Sequence, residues 1–186
     1  MRPRLQLLEA DLIERIVSEA LDLLSTLGVE VQNKSAVELL AGHGAAVEGG
    51  RVRIPATLVE DAVAGAPGGF RLFDVLGQET HDLSGDAVHF TPGSSGITVL
   101  DGETGEMRPP VTSDLVRFAK LVSRLPHIDA QSTSFICTDV PEAIQDSYRL
   151  FLCLSTCEKP VVTGAFTIES YGVMRDMQLA VRGSAD

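Results

Sequence analysis

Ile128–Cys137 (IDAQSTSFIC), Pro141–Thr156 (PEAIQDSYRLFLCLST), Pro160–Phe166 (PVVTGAF) and Ile168–Val181 (IESYGVMRDMQLAV) decide the fold of this chain. They read in turn as strand, helix, strand and helix. Strands alternating with helices of this length predict βαβ units and a parallel sheet. Two parallel strands cannot have both faces covered by so few helices, so the architecture is expected to be unfinished. An open parallel edge at Pro160–Phe166 would be sticky unless another strand or chain covers it.

Upstream of the first strand, Thr112 or Ser113 can cap a helix whose apolar positions Leu115, Phe118, Ala119, Val122 and Leu125 recur at helical spacing, with Pro126 as its stop. Before it, Val88–Phe90 and Ile97–Leu100 are extended runs around a Gly-Ser loop, Thr91–Gly96 (TPGSSG). Asp101–Gly105 then carries the turn chemistry of a hairpin returning through Glu106–Arg108. Further upstream, Asp11–Leu27 places Leu12, Ile13, Ile16, Val17, Ala20, Leu23, Leu24 and Leu27 on one helical stripe. Gly28 stands where a left-handed cap would fall. A short helix at Ser35–Ala41, an alternating run at Arg51–Ile54, a helix opened by Pro55 and a second alternating run at Phe70–Phe73 follow. Residues 1–110 are thus expected to form an α+β cap, and residues 111–186 the βα units.

Composition narrows the function classes. A hydrophobic fraction of 44% with 22% charged residues is that of an ordinary globular chain of one or two domains. A net charge of −11 argues against nucleic-acid or anionic-membrane surfaces, which need clustered Lys and Arg. No apolar run is long enough to span a bilayer, and Glu9 and Asp11 interrupt any leader core in the first residues. Three cysteines without framework spacing fit reduced thiols in a cytoplasmic protein.

Most chemical motifs fail on inspection. The Thr91–Gly96 loop lacks the Gly-Lys-Ser/Thr ending of a nucleotide loop and reads better as a pocket lining. Cys153 and Cys157 lie four apart on a predicted helix, but Pro160 stands where a further thiol ligand would be needed, so buried thiols are expected. His43, His81, His89 and His127 are scattered and form no metal-ligand pair by spacing; no metal site is assigned. Asp139 and Glu142 at a helix start read first as capping groups. Tyr148 and Phe151 read as core. No complete catalytic constellation emerges.

Six stretches carry a resemblance. Leu27–Val31 (LGVEV), Thr91–Gly96 (TPGSSG), Asp101–Pro110 (DGETGEMRPP), Ser113–Ser132 (SDLVRFAKLVSRLPHIDAQS), Asp139–Asp146 (DVPEAIQD) and Lys159–Phe166 (KPVVTGAF) resemble the trimethylamine methyltransferase, or MttB-like, family over nearly the whole chain. The resemblance implies a (β/α)₈ barrel with an amino-terminal cap. Because members of that family are much longer, it implies that this chain holds the cap and only the first barrel strands. It also implies transfer of a methyl group from a methylated amine to the cobalt of a separate corrinoid protein. Some members act on trimethylamine with a genetically encoded pyrrolysine; others lack it and use quaternary amines such as glycine betaine.

On this reading no cofactor is bound directly, the corrinoid is carried by a cognate protein, and the other partner is a small methylated amine. Neither nucleic acid nor membrane is expected, and a homo-oligomer is compatible. Barrel sites sit at the carboxyl ends of strands, here Cys137–Asp139 and Thr163–Phe166. Phe166 offers an aromatic wall for a cation and Asp139 a compensating charge, against plainer readings of packing and capping. Thr163 lies beside Phe166, and Thr91 and Ser94 join if their loop folds over the mouth. Thr91, Ser94, Asp139, Thr163 and Phe166 are therefore the candidate substrate-binding residues, and no catalytic residue is assigned. The alternative is an inactive fragment that serves as an interaction or assembly module through its open sheet edge. An unrelated small α/β binding module is a third reading.

Overall fold

The computed structural model describes residues 6–183; residues 1–5 of the stretch read for a leader, and the last three residues, lie outside it. The chain divides into two compact units, residues 1–67 and 68–186.

In the first unit the amphipathic run forms α1 (Ala10–Thr26), one residue ahead of the expected span. Gly28 turns the chain left-handed at φ +70°, and a Cβ there would lie 2.5 Å from the Val52 carbonyl oxygen. Only glycine tolerates both conditions. The Arg51 guanidinium donates to the carbonyls of Leu27 and Gly28 at 2.9 and 2.8 Å, covering acceptors that the end of α1 leaves free. Strands β1 (Val29–Glu30), β2 (Ala46–Glu48) and β3 (Arg51–Arg53) make an antiparallel sheet with β3 in the middle, around the buried Val52. Helix α2 (Lys34–Gly42) is capped by the Asn33 side chain. The left-handed turn after it falls on Gly44. Pro55 stands at the cap of α3 (Ala56–Gly65) rather than, as expected for a helix it opens, at its first helical position.

The second unit opens with the hairpin β4 (Arg71–Phe73) and β5 (Glu79–Asp82), followed by the hairpin β6 (Val99–Leu100) and β7 (Met107–Arg108), both antiparallel. Helix α4 (Thr112–Ser123) follows, then β8 (Gln131–Ser132), a 3₁₀ turn (Glu142–Ile144), α5 (Gln145–Thr156), β9 (Val161–Val162) and α6 (Ile168–Arg182). β8 and β9 pair in parallel with α5 as the crossover, as the alternation predicts. They are much shorter than the predicted runs. The ladder stops after Ser132 because the Ser134 N–H and hydroxyl both turn back to the Ser132 carbonyl. The Phe166 N–H leaves the strand direction for the Asp146 carboxylate.

The Gly-Ser loop contributes more than a turn. Segment 90–96 runs beside β8, with Asp129 N–H donating to the Phe90 carbonyl at 2.8 Å, Gly96 N–H to that of Ser134 at 2.8 Å and Ile136 N–H to that of Gly96 at 2.9 Å. Gly96 and Phe135 form a parallel bridge. Three chain segments therefore lie parallel in the order 90–96, β8, β9. Residues 68–110, expected with the cap, pack in the same compact unit as these strands.

The core lies between the strands and their helices. Leu115 of α4, Cys137, and Leu152 and Cys153 of α5 are buried together, with Val116, Phe135, Val140, Tyr148 and Val161 against them. Tyr148 is core as expected; Phe151 is half exposed and is not. The fold is mixed α/β, with six helices and four small sheets among the described residues. No closed barrel forms among them. No helix of the described residues is long and apolar enough to cross a membrane.

Candidate functional site

The carboxyl ends of the parallel segments gather a buried polar cluster. The Thr133 and Thr163 hydroxyls lie 3.0 Å apart across β8 and β9. Arg149 of α5 reaches under them, donating to the Thr133 carbonyl at 3.2 Å and to the Asp146 carboxylate at 2.9 Å. Both side chains of this ion pair are nearly sealed, at 1% and 4% exposed. The other Asp146 oxygen accepts from the Phe166 N–H at 2.6 Å. The Arg149 guanidinium carbon lies 4.9 Å from the Phe166 ring centroid, within cation–π range. One helix turn thus holds the chain that follows β9 by a charge pair, a backbone bond and a ring face. Chemically this is a clamp: its donors and acceptors are matched, and it fixes Phe166, whose ring is mostly exposed.

Of the sequence-predicted site residues, Thr163 and Phe166 therefore come together. Asp139 accepts from the Thr112 N–H at 2.9 Å. It caps a helix as its plainer reading held, but the helix is α4 rather than the one it precedes. Thr91 and Ser94 lie exposed on segment 90–96. Among the described residues no hydrogen bond or ring contact joins Asp139, Thr91 or Ser94 to the Thr163–Phe166 cluster. Sequence reading missed Asp146 and Arg149; their i, i+3 spacing of opposite charges was the available signal.

A second polar network orders the segment Asp101–Asp114. Arg108 of β7 donates to Asp101 at 2.8 Å and to both oxygens of Asp114 at 2.7 and 3.0 Å. Asp114 also accepts from the Val111 N–H at 2.9 Å and from Arg117 at 2.7 Å. Asp114 thus takes the N–H of the cap residue Val111 and Asp139 that of Thr112, so neither the Thr112 nor the Ser113 side chain caps α4. The Arg108 bonds hold the Asp114 carboxyl far below the usual carboxylate range and that of Asp101 at about 2. This joins the turn, the return strand and the helix start into one unit.

The predicted buried thiols are found. Cys137, Cys153 and Cys157 are free and buried, and desolvation pushes Cys137 and Cys153 up to about 11. One group of side chains has metal-compatible chemistry among the described residues: His81, His89 and Asp129.

The trimethylamine methyltransferase (MTTB) family model matches residues 1–185. The chain belongs to that family. It is 32% identical to the L-carnitine:corrinoid methyltransferase of Eubacterium limosum, over 91% of this chain and 37% of that one. The glycine betaine methyltransferase of Desulfitobacterium hafniense strain Y51 is 25% identical over 84% of this chain and 33% of its own length. The trimethylamine methyltransferase MttB of D. hafniense strain DSM 10664 / DCB-2 is 24% identical over 92% and 35%. The chain thus spans about a third of the length of the relatives it matches.

Proposed function

We propose that these residues form the amino-terminal part of a corrinoid-dependent methyltransferase that moves a methyl group from a methylated amine to the cobalt of a partner corrinoid protein. The family match over residues 1–185 carries the reading. The names of relatives, which specify L-carnitine, glycine betaine and proline betaine, point to the amine class. The parallel order 90–96, β8, β9 supports a (β/α)₈ barrel opening at segment 90–96, with the cap before it. The reading implies a cytoplasmic chain that binds no corrinoid itself. It is compatible with an oligomer that covers the β9 edge.

The chemistry sets what such a site must do. A methyl on a tertiary or quaternary nitrogen is a poor electrophile, so transfer to reduced cobalt requires alignment and exclusion of water. Phe166 would offer its ring to the cationic amine and Asp139 a balancing carboxylate. Thr91, Ser94 and Thr163 would line the mouth at the carboxyl strand ends, where barrel sites sit. Arg149 and Asp146 would act as positioning residues that set the height of Phe166.

The test mixes the purified chain with a reduced corrinoid protein and trimethylamine, glycine betaine, L-carnitine or proline betaine, following cobalt methylation by absorbance. A chimera in which residues 1–185 replace the matching part of the glycine betaine methyltransferase is assayed in parallel. Methylation by either supports the reading. Silence from both, with the chimera folded and the parent enzyme active, refutes it. Activity from the chimera alone would mean that the chemistry needs the part of the enzyme that these residues do not supply.

A further inference from the structure

His81, His89 and Asp129 meet at the amino-terminal end of the parallel segments, the end opposite Phe166. Asp129 stands just before β8, His89 just before segment 90–96, and His81 arrives from β5. His81 is 2% exposed; its Nδ1 lies 2.8 Å from the Thr80 hydroxyl, and its Nε2 has no hydrogen-bond partner among the described residues. A buried ring nitrogen left bare is costly and calls for an occupant. His89 Nε2 lies 3.2 Å from the Asp82 carbonyl, which can only accept, so that nitrogen carries a proton. In the neutral ring Nδ1 then presents a lone pair, and it lies 3.3 Å from an Asp129 carboxylate oxygen. With Nδ1 protonated this contact is an ion pair; in the neutral ring a metal cation between the two atoms would take the proton's place.

We propose that His81 Nε2, His89 Nδ1 and the Asp129 carboxylate form a three-ligand site for a divalent transition-metal ion of the zinc type. One ligand atom from each of the three residues lies within 4.8 Å of the others. Bonds of about 2.0–2.1 Å in a tetrahedron put ligands roughly 3.3–3.5 Å apart. The His89–Asp129 edge already has that length, so closure asks for at most about 1.5 Å of movement by one ring. Two imidazoles and one carboxylate suit zinc, cobalt, nickel or iron rather than the all-oxygen preference of magnesium and calcium. The outer shell is in place as well: Thr80 and the Asp82 carbonyl each engage the ring nitrogen that faces away from the metal. At this end of the strands the ion would act as a strap joining the β4–β5 hairpin, segment 90–96 and β8. The site is independent of the methyl-transfer reading.

The tag-free chain, stripped with chelator, is titrated with Co²⁺ and then with Zn²⁺. The expected result is stoichiometric visible bands of tetrahedral cobalt, their displacement by Zn²⁺, and a thermal midpoint raised by Zn²⁺. His89→Ala and Asp129→Asn should each weaken Zn²⁺ binding at least about tenfold, while His127→Ala leaves it unchanged. His89 is partly exposed and outside the core, and far-UV circular dichroism confirms that its variant is folded. Absence of binding by the parent chain, binding unaltered in folded His89→Ala, or equal loss in His127→Ala would each overturn the site.

Discussion

Replacing Arg149 by Met keeps most of the aliphatic volume in α5 but strands the Asp146 carboxylate inside the protein. Asp146 is 4% exposed and would keep one N–H donor, that of Phe166, while the Thr133 carbonyl loses its guanidinium partner. Breaking a buried ion pair on one side costs about 3–5 kcal/mol, because the surviving charge has neither water nor a counter-ion. The lost ring contact adds about 1 kcal/mol. Against a typical domain stability of about 5–15 kcal/mol this is a large fraction. The chain has no Trp and two Tyr, Tyr148 and Tyr171, both in the second unit, so tyrosine fluorescence during urea unfolding reports that unit alone. The midpoint should fall steeply with the slope unchanged. Removing both charges, in Asp146→Leu with Arg149→Met, should cost less than the sum of the single changes, since no lone charge remains. A loss under about 1 kcal/mol in Arg149→Met would refute the claim that this pair clamps the chain after β9.

Three further outcomes follow from the same contacts. Asp101 and Asp114 have folded pKa values below the unfolded 3.8, so the unfolded chain takes up protons first as pH falls. Their stabilisation is full above about pH 5 and drains away as pH drops through about 2 and below; Asp114→Asn should flatten thermal midpoints across that window and cost about 2–3 kcal/mol at neutral pH. With Cys137 and Cys153 pushed up to about 11, native thiolate is about 100-fold scarcer than at the ordinary value of 9.0, so a disulfide reagent should label all three cysteines only in urea. Rapid labelling of Cys153 in the native chain would contradict that burial. A Cβ at Gly96 would stand 2.9 Å from the Ser134 carbonyl and 3.1 Å from the Phe135 ring, so Gly96→Val should cost about 1–3 kcal/mol in unfolding experiments.

The alternation of extended and helical runs after residue 127 made the parallel pairing of β8 and β9 legible, because a crossover helix is what parallel neighbours require. The Asp101–Arg108 hairpin was legible from its turn chemistry. Strand lengths were not: Ser132 and Ser134 look permissive of a strand, but their hydroxyl and amide groups compete locally with the ladder. Phe151 has the composition of core and lies half exposed, since α5 turns Leu152 and Cys153 inward instead. Thr163 and Phe166 could be placed together from their nearness in sequence, whereas Arg149 under Phe166 depends on how α5 packs. His81 and Asp129 are far apart in sequence with no spacing rule to join them; only the β4–β5 hairpin and β8 bring them into reach. Asp139 shows the same limit in small, capping a helix that precedes it by many residues.

Lys159 donates from one ammonium to the carbonyls of Val122, Leu125 and Ile128, using all three of its hydrogens at the close of α4. An amine so occupied has no free lone pair to attack an acylating reagent. The other two lysines, Lys34 and Lys120, are exposed and should react at once. The acylation rate at Lys159 therefore follows how often the end of α4 parts from the start of β9. Peptide mass spectrometry of that one side chain gives a clock for local opening, without any added probe.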